Sequence, residues 1–415
     1  MRSGKEVWIV NQYAEAPDQP GSSRHFDFAS ALVQRGWTVR ILASDLNLKT
    51  RTYTRLNRGQ QWMDEVVDGV RYTWIAAPRY TRNDWRRLHN MVGFAWNALR
   101  LGRRLPGRPD CIVGSSPQPL AAKCAQILAR YRKCGYALEL RDLWPQVIVD
   151  MGAFRESSPL VRMARLLEHT LYQGCHPILV FAAGMKGYLA ERGVSSSRIY
   201  YIPTGANVDE YVPSWAHGID GLQPDECGGQ ITVMYTGAHG PANGLQVVVE
   251  AADILRDSRQ VRFVLLGDGP DKESLRAEAV RRHLGNIQFW DAVPKAEVPK
   301  LLASADIGLI TLRNVAAFEY AISPNKLFEY MSAGLPVLCA IPGDMSRLVQ
   351  EAGSGVVIPP EDPVALAEAV LMLAGMTSEE RIEIGKRGRR LVEERFDRRV
   401  LVDEFERVVS AVTCS

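Results

Sequence analysis

The chain has 415 residues, 46% of them hydrophobic, and its 50 basic and 47 acidic residues leave a net charge of +3. This length predicts two domains rather than one, and the near-balanced charge argues against a global field that would attract nucleic acid. We see no run of about 18 apolar residues and no charged-then-apolar leader, so we expect a cytoplasmic protein without a membrane-spanning segment.

In the N-terminal half, a short apolar strand is predicted at 7–10, followed by a Pro/Gly/Ser loop through 21 and a helix at 23–35. A β-branched strand at 37–42 completes a βαβ unit, which implies a parallel sheet with right-handed crossovers. Four further strands alternate with helical pattern, at 111–114, 137–140, 178–181 and 199–202.

A polar stretch rich in Pro and Gly at 214–229 predicts a linker between an N-terminal domain (1–213) and a second domain (230–397). The second domain repeats the βα pattern, with strands predicted at 231–235, 261–266, 287–290, 307–310 and 337–340. Helices follow at 363–373, 378–395 and 398–412, the second with a capping box from Thr377 and Glu380. We expect the last helix (398–415) to pack back on the N-terminal domain.

The pattern as a whole predicts an α/β protein with two Rossmann-like, doubly wound domains. Open parallel sheets bind ligands at the carboxyl ends of their strands, so we expect the active site in an interdomain cleft.

The segment 323–336 is typical of a helix that begins near a ligand. Ser323 is the expected N-cap, Pro324 suits the first helical position, and Gly334 ends the helix. Free N–H groups at such an N-terminus, with Lys326 in the first turn, suit a diphosphate. Glu329, one turn on, can accept hydrogen bonds from ribose hydroxyls. The alternative is an exposed i,i+3 ion pair on a surface helix.

Three other segments strengthen the ligand interpretation. A Gly-rich stretch at 235–244 follows the first strand of the second domain, and a tight turn at 266–270 follows the strand at 261–266. Each alone is equally consistent with an ordinary βα loop. The third is Arg141-Asp142, next to Trp144 at the end of a first-domain strand, a combination more typical of a site than of a core.

The seven cysteines are scattered and form no C-x-x-C pair, so we expect reduced thiols and neither a disulfide framework nor a metal or cofactor site. They are Cys111, Cys124, Cys134, Cys175, Cys227, Cys339 and Cys414.

Taken in order, these motifs resemble the retaining glycosyltransferases of sequence family 4, which have the GT-B architecture. The chain is most similar to the branch that builds bacterial O-antigen, capsule and lipopolysaccharide sugars, often from amino-deoxy sugar donors. The residues that carry the resemblance are 21–25, 139–145, 202–205 with Asp209, 237–244, 267–270 and 323–334.

The resemblance implies a nucleotide-sugar donor, UDP-linked, held by the second domain, and a glycan or polyprenyl-diphosphate-linked acceptor held by the first. It also implies retention of anomeric configuration without a metal, and no Asp-x-Asp signature is present. The implied catalytic residues are Asp142, Arg141 and Lys326. The implied donor-binding residues are Gly237, His239, Gly240, Asn243, Gly269, Glu319, Ser323, Pro324, Asn325, Lys326 and Glu329. The implied acceptor-side loop consists of Gly21, Ser22, Arg24 and His25.

The chain departs from the family pattern at several of these positions. The first of two motif glutamates would fall at Ala321, and Glu319, two residues away, is the candidate replacement. Ala238 and Asn243 stand where the family often has Arg and Lys, so Lys326 would take over the phosphate charge. Thr204 stands where the family prefers Asn.

The segment 79–108 combines a helical apolar stripe with basic residues and few acids. The stripe is Leu88, Met91, Val92, Ala95 and Leu99, with Trp85, Phe94 and Trp96 nearby. The eight arginines are Arg79, Arg82, Arg86, Arg87, Arg100, Arg103, Arg104 and Arg108. Such a helix suits an anionic membrane surface, and it equally suits a domain helix whose stripe packs on the sheet.

Two other function classes remain open. A nucleotide-sugar 2-epimerase shares the architecture and would convert its donor without an acceptor. A non-catalytic partner subunit would explain Ala321 and the missing Arg and Lys. Nucleic acid is not expected as a partner, because the basic residues are local.

Overall fold

The computed structural model describes residues 4–18, 24–47, 52–53, 55–80, 85–116, 118–150, 152, 154–174, 176–213, 215 and 230–412. The predicted linker at 214–229, except for Trp215, lies outside these residues, as do Gly21, Ser22 and Arg82. The chain forms two compact units: Met1–Pro203 together with Val402–Ser415, and Thr204–Leu401.

The first unit alternates strands and helices along the chain. Its elements are β1 (Glu6–Val10), α1 (Arg24–Gln34), β2 (Thr38–Ser44), β3 (Trp62–Val67), β4 (Val70–Ile75), α2 (Trp85–Gly102), β5 (Cys111–Ser115), α3 (Pro119–Arg132), β6 (Gly135–Leu140), α4 (Gln146–Asp150), α5 (Pro159–Gln173), β7 (Ile178–Val180), α6 (Met185–Glu191) and β8 (Ile199–Tyr201).

These eight strands form one sheet in the order β3-β4-β2-β1-β5-β6-β7-β8, with every pair parallel except β3 and β4. The prediction missed the antiparallel β3–β4 hairpin. Its turn contains Asp68 (φ 47°) and Gly69 (φ 80°), an Asp-Gly pair with both residues left-handed. That dipeptide is a strong hairpin signal and marks this feature in the sequence.

The second unit repeats the pattern with a smaller sheet. Its elements are β9 (Ile231–Thr236), α7 (Gln246–Ile254), β10 (Val261–Leu266), α8 (Lys272–Arg281), β11 (Ile287–Trp290), α9 (Val298–Leu302), β12 (Ile307–Thr311), α10 (Ala316–Tyr320), α11 (Asn325–Ser332), β13 (Val337–Ala340), α12 (Asp344–Ala352), β14 (Gly355–Val357), α13 (Pro363–Ala374), α14 (Ser378–Leu391) and α15 (Arg398–Ala411).

This sheet is parallel throughout, in the order β11-β10-β9-β12-β13-β14. The strands predicted at 261–266, 287–290 and 337–340 coincide with β10, β11 and β13, whereas the short edge strand β14 was not predicted. Central strands such as β12 are buried along their whole length because helices cover both faces of a parallel sheet. The two-sheet, Rossmann-like fold class is therefore confirmed.

The first unit ends at Pro203, ten residues before the boundary predicted at 213. The reason is that the next residues contact the second unit's own C-terminal segment. Ala206 forms a β-bridge with Asp397, and the carbonyl of Tyr211 accepts a 2.8 Å hydrogen bond from Arg389 Nη1. Such long-range pairing leaves no local pattern in the sequence.

The helix predicted at 378–395 ends earlier as a regular α-helix. The capping box of Thr377 and Glu380 is present at the start of α14. After Leu391 the chain makes one π-helical turn over Val392–Phe396. From Val402 onward α15 belongs to the first unit, where the Phe405 ring lies 5.4 Å from that of Phe28. Among the described residues, no helix combines the length and apolar character needed to cross a bilayer.

Helix α2 divides the predicted apolar stripe between the two orientations that the sequence left open. Its buried face comprises Asn90, Met91, Phe94 and Ala98. Met91 of the predicted stripe thus faces the protein, and Ala95 and Leu99 lie half-buried at the border of this buried face. The exposed apolar residues are Trp85, Leu88, Val92 and Trp96, with 69%, 46%, 50% and 67% of their surface accessible. At 100° per residue these four fall within an arc of roughly 80°, so α2 carries an outward apolar stripe.

Candidate functional site

In the second unit, two glycine-containing loops run side by side at the carboxyl ends of β9 and β10. The N–H of Gly237 donates to Leu266 O (2.9 Å), and that of His239 donates to Asp268 O (2.8 Å). Gly237, Gly267 and Gly269 have φ values of 137°, 147° and 157°. A Cβ on Gly267 would lie 1.8 Å from Gly237 O. The two loops can therefore approach each other this closely only with glycine at position 267.

Lys326, in the first turn of α11, reaches this pair of loops. Its Nζ lies 3.9 Å from the centre of the Tyr235 ring, and a Cβ on Gly237 would be 3.1 Å from that Nζ. Burial lowers the pKa of Lys326 to about 7, although Glu329 opposes the shift. Among the described residues Lys326 forms no ion pair. It is therefore a partly buried cation with no carboxylate neutralising it at hydrogen-bonding distance.

His239 lies in the same loop and has no exposed surface. Neither ring nitrogen has a hydrogen-bond partner in the described structure. Burial, followed by the charge of Lys272, lowers its pKa to about 4, so the ring is neutral at pH 7. A buried polar group without a partner is costly and therefore rare, which makes this imidazole a candidate ligand-binding group.

Helix α11 begins one residue later than predicted. Pro324 is the N-cap, with extended ψ of 123°, and Asn325 is the first helical residue. Ser323 therefore does not cap the helix, and its buried Oγ has no described partner. The C-terminal end is as predicted, because Gly334 adopts φ 69° and Leu335 N donates to Tyr330 O (3.0 Å).

Glu329 lies one turn after Lys326 on α11 and is partly buried. Burial raises the pKa of its carboxyl, against the lowering effect of Lys295 and Lys326. Glu319, by contrast, is exposed on α10, and Ala321 is half-buried nearby. Asn243 contributes its backbone, since its carbonyl accepts a 2.7 Å hydrogen bond from Thr311 Oγ1.

Lys272 holds the Gly267 loop in place, and the sequence-based reasoning missed it. Its buried Nζ donates to Gly267 O (2.9 Å), Trp290 O (3.0 Å) and Asp291 Oδ1 (2.6 Å). A lysine at the start of a βα helix has no local signature of this role, because its acceptors come from two different loops.

In the first unit, a buried carboxylate organises the carboxyl edge of the sheet. Glu139 Oε1 accepts from Arg24 Nε (3.0 Å), and Oε2 lies 2.7 Å from His25 Nε2 and accepts from Ser115 Oγ (2.6 Å). Burial raises the pKa of Glu139, but His25 and Arg24 outweigh that effect and hold it well below its usual range. Glu139 is thus ionised and fully engaged.

The network also fixes the state of His25. Asn11 Nδ2 donates to His25 Nδ1 at 3.2 Å, which places the ring proton on Nε2, facing Glu139. Burial lowers the pKa of His25 despite the nearby carboxylate, in agreement with a neutral ring. Arg24 also donates to the carbonyls of Ile202 (2.8 Å) and Pro203. Both side chains, implied in acceptor contact, are engaged inside the first unit.

Arg141 and Asp142 follow Glu139 at the same edge. Burial raises the pKa of the Asp142 carboxyl, with Arg141 opposing. Arg141 Nε is buried without a described partner, and its guanidinium lies 5.7 Å from the centre of the Phe181 ring. Arg141 and Asp142 can therefore still form hydrogen bonds with a ligand, whereas Arg24 and His25 already form theirs within the protein. Nowhere in the described ranges do three or more His, Cys, Asp or Glu side chains form a group that could hold a metal ion.

The structure thus brings part of the predicted residues together in each unit, whereas Glu319 is exposed on α10. The second-unit group contains Gly237, His239, Gly269, Lys326 and Glu329, and the first-unit group contains Arg24, His25, Arg141 and Asp142. Glu139, Ser115 and Asn11 were missed as site residues, and the only local hint was the position of Glu139 at the end of a predicted strand.

Two family models match the chain. The model described as a glycosyl transferase 4-like domain matches residues 23–205, and the model described as glycosyl transferases group 1 matches residues 230–375. Together they cover well over half of the chain.

Individual proteins agree with this assignment. The chain is 23% identical over 63% of its length to a probable glycosyltransferase, WbjE, of Pseudomonas aeruginosa, covering 66% of that protein. It is 25% identical over 66% of its length to a putative colanic acid biosynthesis glycosyl transferase, WcaI, of Escherichia coli, covering 68%. The alignments therefore span about two thirds of these relatives.

Among solved structures, Alr3699/HepE of Anabaena in complex with UDP superposes with a TM-score of 0.67 at 14% identity, covering 98% of this chain and 100% of that one. This likeness confirms the predicted GT-B fold. With both family models matched in order, the chain belongs to the glycosyltransferases that combine a type 4-like N-terminal domain with a group 1 C-terminal domain.

Proposed function

We propose that this protein transfers a sugar from a UDP-linked donor to a glycan or polyprenyl-diphosphate-linked acceptor in the synthesis of a bacterial surface polysaccharide. The observation that carries the proposal is Lys326, a partly buried cation without an ion-pair partner among the described residues, at the start of α11 and beside the Gly237 loop. A bound diphosphate would supply the negative charge that no carboxylate provides next to Lys326.

The donor is held by the second unit in this proposal. The backbone N–H groups of Asn325 and Lys326, at the start of α11, would donate to phosphate oxygens together with the Lys326 side chain. Glu329 would accept hydrogen bonds from the ribose hydroxyls, and His239 offers a neutral nitrogen to the phosphate or sugar. UDP is favoured because HepE, of the same fold, was solved with UDP. An N-acetylated amino or deoxyamino sugar is favoured by the resemblance of the motifs.

The transfer follows from these roles. The bond between the sugar C1 and the phosphate oxygen breaks with its electron pair on the departing UDP. The acceptor oxygen forms the new bond on the same face and gives its proton to the leaving phosphate. Lys326 and the helix N-terminus stabilise the charge that builds on the diphosphate. Asp142 and Arg141 would contact the transferred sugar or the acceptor. This route is metal-independent and retains the anomeric configuration.

A thermal-shift series with UDP, GDP and ADP in EDTA tests the donor site. We expect UDP to raise the melting temperature and Glu329→Ala to remove the shift. Exposed Glu368 on α13 provides a matched control, since Glu368→Ala should keep the shift. No stabilisation by any nucleotide would refute the donor site and favour the partner-subunit alternative.

Product analysis tests the reaction itself. With a UDP-sugar panel and a lipid-linked acceptor, the anomeric proton of the product should show the configuration of the donor. Inversion would exclude the proposed route. Conversion of the UDP-sugar without acceptor would instead support the epimerase alternative. Glu319→Ala, if Glu319 replaces the motif glutamate, should weaken binding of the UDP-sugar but not of UDP.

We further propose that the protein binds the inner face of the cell membrane through α2. The outward stripe of Trp85, Leu88, Val92 and Trp96 is apolar, and Arg86 and Arg100 on the same helix are exposed. Tryptophan and arginine suit the boundary between acyl chains and anionic headgroups. Flotation with anionic liposomes tests this binding, and its absence would leave the donor-site proposal untouched.

A further inference from the structure

A basic cavity of about 920 Å³ lies in the first unit at the edge opposite Glu139. Its lining comes from residues just before strands β1, β5 and β6 begin, such as Lys5, Asp110 and Cys134, together with the end of α15. It therefore lies at the amino ends of the strands, away from the carboxyl edge where the sheet presents its candidate site.

The lining has a strong positive excess. It contains the cations Lys5, Arg103, Arg108, Arg132 and Lys133 and the single carboxylate of Asp110. Asp110 Oδ2 already accepts a 2.8 Å hydrogen bond from the Glu6 N–H. The whole chain has nearly as many acids (47) as bases (50), so this concentration is local. Cations that line one cavity repel one another, and a bound anion would relieve that repulsion.

Part of this charge serves the fold. Arg132 donates to the carbonyls of Gly102, Leu105 and Gly107, which close the end of α2. Lys5 and Arg103 form no ion pair with a carboxylate in the part of the chain that the structure describes, although Lys5 Nζ donates a 3.0 Å hydrogen bond to Ser410 Oγ. Lys5 Nζ lies 5.3 Å from the centre of the Trp37 ring, and the Arg103 guanidinium lies 5.1 Å from that of Tyr131.

The backbone at Lys133 is a second, independent observation. Lys133 is the C-cap of α3 and adopts the left-handed conformation, with φ 55° and ψ 51°. Glycine adopts this conformation at helix ends without a steric cost, whereas a lysine is strained there. Strained residues of this kind cluster at functional positions, and the Lys133 side chain belongs to the cavity lining.

We propose that this cavity binds a phosphate- or diphosphate-bearing ligand, independently of the donor site. Lys5, Arg103, Arg108 and Lys133 supply the charge, and the exposed ring of Tyr131 provides a flat surface for the remainder of the ligand. Both a soluble phosphorylated molecule and the headgroup of an anionic lipid present this chemistry. The test distinguishes these two sources.

Cys134 gives a local measure of occupancy because it lines the cavity and is half-buried. Burial raises the pKa of Cys111, Cys124 and Cys339, so these thiols react slowly. Modification of Cys134 in the full chain, followed by peptide mass mapping, is measured with inorganic pyrophosphate, with phosphatidylglycerol vesicles and with neutral phosphatidylcholine vesicles. At about ten times Kd, we expect modification to slow about tenfold, because only the free cavity reacts.

Four variants make the test specific. Arg103→Glu should abolish protection, whereas Arg104→Glu, an exposed neighbour outside the lining, should keep it. Lys326→Met should also keep it, which separates this cavity from the donor site. Lys133→Gly relieves the strained backbone, so it should fold at least as well as the parent while binding pyrophosphate more weakly.

Protection of Cys134 by pyrophosphate, lost in Arg103→Glu and kept in Arg104→Glu and Lys326→Met, supports a soluble ligand. Protection by phosphatidylglycerol vesicles alone, lost in Arg103→Glu, assigns a lipid headgroup. The proposal is overturned if neither probe protects Cys134, if Arg103→Glu and Lys133→Gly leave protection unchanged, or if only Lys326→Met removes it.

Discussion

The Lys326 ammonium lies 3.9 Å from the centre of the Tyr235 ring, and the Tyr235 hydroxyl donates a 2.8 Å hydrogen bond to the carbonyl of Ala238. One aromatic side chain thus contacts the cation of α11 and also fixes the Gly237 loop. The lysine is held beside the Gly237 loop by a π face rather than by a carboxylate, so its charge remains available to an anion.

UDP binding should weaken as the pH rises above 7. The pKa of Lys326 is about 7 in the free protein, and a bound diphosphate would raise it, so binding is linked to proton uptake. Between pH 7 and 9, where UDP itself no longer titrates, the affinity should fall by up to about tenfold per pH unit. Titration calorimetry across this range measures the slope. Lys326→Arg remains charged throughout and should give a flat profile; the same slope in both proteins would contradict the assignment.

Lys326→Met should stabilise the protein while removing UDP binding. Burial lowers the pKa of Lys326, which means that folding at neutral pH penalises its charged form. Methionine has similar length and no charge, and each kcal/mol gained should raise the melting temperature by about 2–4 °C. Thermal unfolding with and without UDP measures both effects. Lys386→Met, on the exposed face of α14, should change neither; a less stable Lys326→Met would contradict the prediction.

Glu139→Gln should destabilise the protein strongly. The substitution leaves the buried Arg24 guanidinium without its charge partner, and breaking such a pair costs about 3–5 kcal/mol. Denaturant unfolding at pH 7 measures the loss, and Glu156→Gln, which removes only an exposed ion pair with Arg165, should cost less than about 1 kcal/mol.

The pH dependence of that loss has a defined sign. The folded-state pKa of Glu139 lies below its ordinary value, so its contribution is fully present above pH 5 and is lost as the pH falls through the folded-state pKa. The difference between parent and Glu139→Gln should therefore shrink in acid. A difference that stays constant from pH 7 to pH 3 would argue against an ionised Glu139.

Gly267→Ala should disrupt the paired loops of the second unit. Its φ is 147° and a Cβ would meet Gly237 O at 1.8 Å, so the loop backbone would have to move. We expect a loss of more than about 1 kcal/mol of stability and of UDP binding. Gly285→Ala, before β11 at a position without a positive φ and with no atom within 4 Å of its Cβ position, is the matched control and should be tolerated. Equal behaviour of the two variants would refute the close-approach argument.

Trp85→Ser combined with Trp96→Ser should reduce liposome binding without unfolding the first unit, because both rings are mostly exposed. Each buried aromatic ring contributes roughly 1.5–3 kcal/mol when removed from water, so co-flotation with anionic vesicles should fall at least tenfold. Leu371→Ser with Met372→Ser removes a similarly exposed pair on α13 and should have no effect. Unchanged flotation of the tryptophan variant would exclude α2 as the membrane contact.

The sequence was sufficient for most of the strands and the main helices, but it did not yield β3, β4 and β14. Strands that are buried on both faces appear in the sequence as short apolar runs. The first and last residues of β10, β11 and β13 could therefore be predicted without error. Gly334 ended α11 as predicted because glycine adopts the left-handed geometry that ends a helix, here φ 69°, without a steric cost. The helix start was off by one residue, since extended ψ at Pro324 depends on the preceding loop.

Only the tertiary structure decided how residues far apart in the chain contact each other. Arg24 and Glu139 are 115 positions apart, and their pairing turns two implied ligand contacts into a buried internal network. The missing partners of His239 and the lowered pKa of Lys326 exist only because packing removes them from water. Hydrophobic period and turn chemistry are local and are written in the sequence, whereas burial and charge pairing depend on which loops the folded sheets bring together.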